Sequence, residues 1–178
     1  MPISESRTVH PSLPQSSTLT GLGSTIRERG EYKARPATKD DIGAIAASMR
    51  PADQEEVRVL ANQSPYEALD HSYHFSTLCR TLCYQDQPLI MYGTTDIGDN
   101  SAIVWGLGSS LLDDHVTGFL RMSRPEVQIL QGSYDKIFNF VHSKNDLHLK
   151  WVEFVGFELL DPMPHESGET VVPIIRRS

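Results

Sequence analysis

The stretch IFNFVHSKNDLHLKWVEFVGFELL, residues 137–160, constrains the fold more than any other part of this chain. Ile137, Asn139 and Val141 alternate with Phe138, Phe140 and His142. Both sets are largely apolar, the pattern of a strand buried on both faces. Ser143-Lys144-Asn145-Asp146 then interrupts the run with residues whose side-chain oxygens cap helices. Leu147, Trp151, Phe154 and Val155 recur at helical spacing and predict one apolar stripe. Gly156 stands where a left-handed residue ends the helix, and residues 157–160 resume extended chain. On spacing alone, any strand–helix–strand unit fits these residues.

The rest of the chain narrows the choice. Residues 32–36 read as a strand leading into Thr38, which forms a capping pair with Asp41. Ile42, Ile45, Ala46 and Met49 mark one face of a first helix. A second runs from Pro51 to about Asn62, with proline at a tolerated first-turn position. Ser64-Pro65 opens a third, through Ala68, Leu69 and Tyr73 to about Thr77. Extended runs at 81–85 and 89–94 flank an expected turn, Asp86-Gln87-Pro88. Another run, 102–107, follows Gly98-Asp99-Asn100. A last strand, 170–176, is expected to pair back on residues 157–160. The class is α/β (α+β): a mixed, mostly antiparallel sheet flanked by helices. Strands 102–107 and 137–142 are expected to be parallel neighbours that splay apart at their C-terminal ends.

This order resembles the GNAT N-acetyltransferase fold. Several short motifs carry the resemblance further: Arg35-Pro36-Ala37, Met49-Arg50-Pro51-Ala52-Asp53-x-x-Glu56, Ser64-Pro65-x-x-Ala68-Leu69, Trp105 and Phe119-Leu120-Arg121. Asn139-x-Val141-x-x-x-Asn145 through Gly156-Phe157 completes the set. In order and spacing they are similar to the GNAT-like proteins of short-tailed bacteriophages, and to a small protein of the internal virion core. The resemblance spans roughly residues 35–160. It implies a phage origin, a GNAT scaffold and residence in the virion, with the host cytoplasm before assembly.

The length suits a single domain able to bury a core. Cys79 and Cys83 offer no disulfide framework. No apolar run approaches the roughly 20 residues that span a bilayer, and no signal-peptide pattern opens the chain. A net charge of −7 argues against broad binding of a phosphate backbone. No direct nucleic-acid or membrane binding is therefore expected.

Residues 1–30 differ from the remainder, residues 31–178. They are rich in Ser, Thr, Pro and Gly, and bury too little apolar area to offset their own ordering entropy. They read either as a disordered tail or as an extended arm that orders against other virion proteins. In the second reading Val9, Leu13, Leu19, Leu22 and Ile26 are the anchors, in an expected ring-like, multi-copy assembly; the domain without its arm should fold yet fail to join the particle.

The GNAT resemblance implies a cofactor, acetyl-CoA, held by backbone amides and a helix N-terminus that favour its pyrophosphate. The corresponding region is Trp105-Gly106-Leu107-Gly108-Ser109-Ser110-Leu111-Leu112-Asp113-Asp114-His115. Gly106 and Gly108 are present, and with Asn145 are the candidates for cofactor contact. The expected Arg or Gln before them is missing, and Asp113-Asp114 would repel phosphate. Val152 stands where active relatives carry a proton-donating Tyr. Glu126, Asp113, Asp114 and His115 remain as general-base candidates without a motif, and His142 reads as structural. His71, His74, Cys79 and Cys83 lack zinc-ligand spacing, so no metal is expected. Two function classes follow from the resemblance. One is a virion structural or interaction protein, of the internal core or head–tail region, that has lost catalysis and holds no cofactor. The alternative is an acetyl-CoA-dependent N-acetyltransferase acting on a host or phage amine.

Overall fold

A computed structural model describes residues 24–178. Val9, Leu13, Leu19 and Leu22 of the expected arm lie outside the described residues; Ile26 lies within them and is exposed. Arg27–Arg29 form β1, a short edge strand on β2 (Tyr32–Pro36). Three helices follow, α1 (Lys39–Ala46), α2 (Pro51–Ala61) and α3 (Pro65–Phe75), and then the meander β3 (Leu78–Tyr84), β4 (Gln87–Gly98) and β5 (Ser101–Gly108). A 3-10 turn (Ser110–His115) leads into α4 (Val116–Gln131) and β6 (Lys136–His142). The chain closes with α5 (Asp146–Phe154), β7 (Glu158–Leu159), β8 (Met163–Pro164) and β9 (Thr170–Arg177).

Among the described residues the strands make one sheet, in the order β1-β2-β3-β4-β5-β6-β9-β7, with β8 on β9. Every pairing is antiparallel except β5–β6. The caps are those the sequence indicates. Asp41 Oδ2 accepts the Thr38 N–H at 2.8 Å, and Ser64 and Glu67 form a reciprocal box. The hairpin β3–β4 turns one position earlier than expected. Gln85 and Asp86 take the left-handed φ values of +46° and +64°, and Gln87-Pro88 already belong to β4. A two-residue turn of this hand matches strand twist.

Alternation across the strands divides the core in two. On one face Leu82, Ile90, Tyr92, Val104, Ile137 and Val141 pack beneath α4 and α5. On the other, Met91 and Leu107 meet Ile42, Ile45, Val57 and Leu69 of α1–α3. The second face of β6 is buried only in part: His142 is buried, but Phe140 is 38% exposed. No helix of the described residues is long and apolar enough to cross a membrane.

The helical phase of α5 also differs from the expected stripe. Val152 and Val155 face the core, with Leu149 packed against it. Leu147 and Phe154 are exposed, and Trp151 is half-buried. Phe154 instead lies under the Arg124 guanidinium, 4.4 Å from its ring centre. Gly156 ends the helix at φ +94°, and Phe157 is buried. Gly156→Ala should therefore lower stability by about 1 kcal/mol, measured by urea denaturation, since only its backbone hand forbids a side chain.

Candidate functional site

β5 and β6 pair only at Ser101–Lys136, Ala102–Ile137 and Ile103–Phe138, and beyond that point they diverge. Asn139 sits where the ladder stops. Its Nδ2 donates to Val104 O at 2.6 Å and its Oδ1 accepts the Phe140 N–H at 2.8 Å. The side chain thus satisfies two backbone groups left without a ladder partner. The opening is a cleft of about 220 Å³, floored by Gly106 and Ile90 and walled by Phe119, Trp151 and Phe154. A smaller apolar recess of about 40 Å³ continues inward to Tyr92, Val104 and Met122.

A polar cluster closes the α2 side of this cleft. Proline at the first position of α2 starts a helix that places Asp53 and Glu56 on its inner face, one turn apart. Both are buried. Glu56 accepts from the His142 N–H at 3.2 Å and the Asn145 amide at 3.1 Å, and lies 3.0 Å from His148 Nδ1. Asn145 is at once the cap of α5, accepting the His148 N–H at 3.3 Å, and the tie between α5 and α2. Burial would raise the Glu56 pKa, but the His148 charge and these hydrogen bonds outweigh it and hold it below the ordinary 4.5. Burial likewise works against the His148 charge, and Glu56 more than offsets it, so the imidazole titrates above its ordinary 6.5. Burial raises the Asp53 carboxyl, against the pull of Arg50.

The cofactor candidates fall at this site in unequal ways. Gly106 lines the cleft. Gly108 sits at its end, and its N–H donates to Asp53 Oδ2 at 2.9 Å. Ser109 N–H donates to Leu89 O at 2.8 Å and Ser110 N–H to Ser48 O at 2.7 Å. Three successive amides at the end of β5 are therefore engaged within the protein. Asn145 is buried behind His148 and directed to Glu56 and Asp53.

The acid–base candidates separate. Glu126 is buried on the opposite side of the cleft floor, where Arg80 Nε and the Tyr92 hydroxyl both donate to Oε2 at 2.7 Å. Its Oε1 lies 3.3 Å from Arg27 Nε, off the direction of a hydrogen bond. Asp113 and Asp114 are exposed on the 3-10 turn. His115 points to the β2–β3 edge, bonded to the Tyr32 hydroxyl at 3.1 Å and stacked on Tyr84 at 4.1 Å. His142 is buried against Glu169, 3.4 Å away. Val152 packs in the core. Cys83 is fully buried, and burial pushes the Cys79 thiol up to about 12. Among the described residues no cluster of His, Cys, Asp or Glu is arranged to hold a metal ion.

His148, Glu56, Asp53 and Arg50 escaped the search for chemistry in the sequence. The signal was present as polar residues at helical spacing, Asp53 with Glu56 and Asn145 with His148. Glu56 adjoins Val57 of the core, an acidic residue where an apolar one would be cheapest to bury.

No family model matches the sequence, and no curated protein matches it. Solved structures do match its fold. The ribosomal-protein-S5-alanine acetyltransferase of Vibrio fischeri has a TM-score of 0.62 at 10% identity, covering 86% of this chain and 96% of that one. A ribosomal-protein-alanine N-acetyltransferase of Brucella melitensis has a TM-score of 0.61 at 11% identity, over 82% and 99%. The Salmonella typhimurium protein yncA, solved with its cofactor acetyl-CoA, has a TM-score of 0.59 at 11% identity, over 83% and 94%. The chain thus has the mixed α/β fold of the GNAT acetyltransferases.

Proposed function

We propose that this chain is a virion-associated structural or interaction protein of a phage, built on a GNAT scaffold whose cofactor chemistry has been lost. One observation carries the loss of chemistry. The amides of Gly108, Ser109 and Ser110 are engaged by Asp53, Leu89 and Ser48, so these three are not free to bind a pyrophosphate. Asp113 and Asp114 on the following turn add negative charge where a phosphate would sit. Val152, buried on α5, offers no proton to a leaving thiolate. The virion assignment rests on the phage-like motifs from Arg35 to Phe157. In this reading residues 1–30 contact other virion proteins.

Calorimetry of the full chain with acetyl-CoA should give no saturable heat. A micromolar dissociation constant, or ordered cofactor between β5 and β6, puts the alternative first: an acetyl-CoA-dependent N-acetyltransferase acting on an amine. That second reading is favoured by the cleft itself, which stays open and carries an accessible imidazole, His148, beside Trp151. Mass spectrometry of purified particles should find the protein. A chain lacking residues 1–30 should fold and be missing from those particles; its normal incorporation would remove the arm from the account.

A further inference from the structure

The mouth of the cleft gathers two cationic groups and a histidine whose hydrogen-bonding capacity is incompletely used. Arg50, at the N-cap of α2, is 9% exposed and lines the cleft. Its Nε is buried and makes no directed hydrogen bond, although Asp113 Oδ1 lies 3.1 Å away as an ion-pair partner. His148 has Nδ1 held by Glu56, which leaves Nε2, on the far side of the ring, without a partner among the described residues. Lys150, two residues on along α5, is exposed at the same rim. A buried, imperfectly paired guanidinium beside an imidazole fixed by a carboxylate is a prepared site for an anion.

The acidic groups at the cleft do not cancel this. Asp53 is engaged by the Gly108 N–H at 2.9 Å and by Arg50, 3.7 Å away. Glu56 lies behind His148. The Asp113 side chain is 55% exposed, so it can leave Arg50 for water when a better-directed acceptor arrives. Below this rim the walls are apolar, from Val116, Phe119 and Trp151 inward past Gly106 to the recess at Tyr92. The ligand that fits such a site has one anionic head and an apolar body.

We propose that the cleft binds a small monocarboxylic acid with an apolar tail. Its carboxylate lies on Arg50 and Lys150, and on His148 Nε2–H when that imidazole is protonated, and its tail lies between Phe119 and Trp151. Planar carboxylate geometry matches a guanidinium better than a spherical anion does. This site is independent of the interaction reading above, since it uses neither the amides of residues 108–110 nor residues 1–30.

The test titrates octanoate, and separately octanol, into the full chain, following tryptophan fluorescence and calorimetric heat. Octanoate should saturate, and octanol should bind at least about tenfold more weakly, because it lacks the charged acceptor. Lys150→Ala should weaken octanoate about threefold and His148→Gln about tenfold, with octanol unchanged for both. Lys150 is exposed and has no partner among the described residues, so its replacement leaves folding intact whatever happens at His148. Equal binding of octanol, no binding of octanoate, or insensitivity to both substitutions overturns the assignment. Acetyl-CoA titrated in parallel keeps the two readings apart. Its binding would remove the loss-of-cofactor reading, whereas the comparison of octanoate with octanol reports on the carboxylate site alone.

Discussion

Glu126→Leu should lower the stability of the domain by about 3–5 kcal/mol. Arg80 is fully buried on β3, and Glu126 reaches it from α4 at 2.7 Å while accepting from the Tyr92 hydroxyl at the same distance. Removing the carboxylate takes away the acceptor of the buried Arg80 Nε and that of the Tyr92 hydroxyl. Filling both positions, as Arg80→Met with Glu126→Leu, should recover most of the loss, because a matched apolar pair carries no desolvation cost. Chemical denaturation of the two variants decides the matter. A single variant within about 1 kcal/mol of the parent would mean that the pair contributes little.

Glu56→Leu should cost a comparable amount, about 3–5 kcal/mol, and should alter how stability depends on pH. The carboxylate joins α2 to the end of β6 through the His142 N–H, and to α5 through Asn145 and His148. Glu56 titrates below 4.5 when folded, so its contribution is present above that value and fades as pH falls through the folded pKa. His148 titrates above 6.5 when folded. Its contribution is complete below 6.5 and fades as pH rises through the higher folded value. The parent should exceed the variant most between 4.5 and 6.5, with the gap narrowing on either side. Thermal melts across that range measure it, and a gap constant with pH would refute the ion pair.

The sequence carried the local decisions well. Thr38 and Asp41, Ser64 and Glu67, Pro51, Asn145 and Gly156 each settle a chain end through hydrogen bonds or backbone hand within a few residues. Such signals are complete in the sequence because the partners are neighbours. The turn at Gln85-Asp86 was less legible, since Pro88 suggested the turn although it is accommodated inside β4.

The phase of α5 and the roles of Glu126, His148 and Glu56 were not legible, for one reason. Each depends on a partner far along the chain: Arg80 is 46 residues from Glu126, and His148 is 92 residues from Glu56. Leu147, Trp151, Phe154 and Val155 make a convincing apolar stripe, yet of these only Val155 is buried, and Val152 joins it in the core. Gly106 and Gly108 look alike in sequence, but Asp53 takes the amide of one and leaves the other lining the cleft. Periodicity and capping, being short-range, determined the elements, their order and their ends from the sequence alone. Which charges meet in the core, how α5 is rotated and where the cleft stays open were decided by tertiary structure, because burial changes what a charge or an amide costs only once distant segments enclose it.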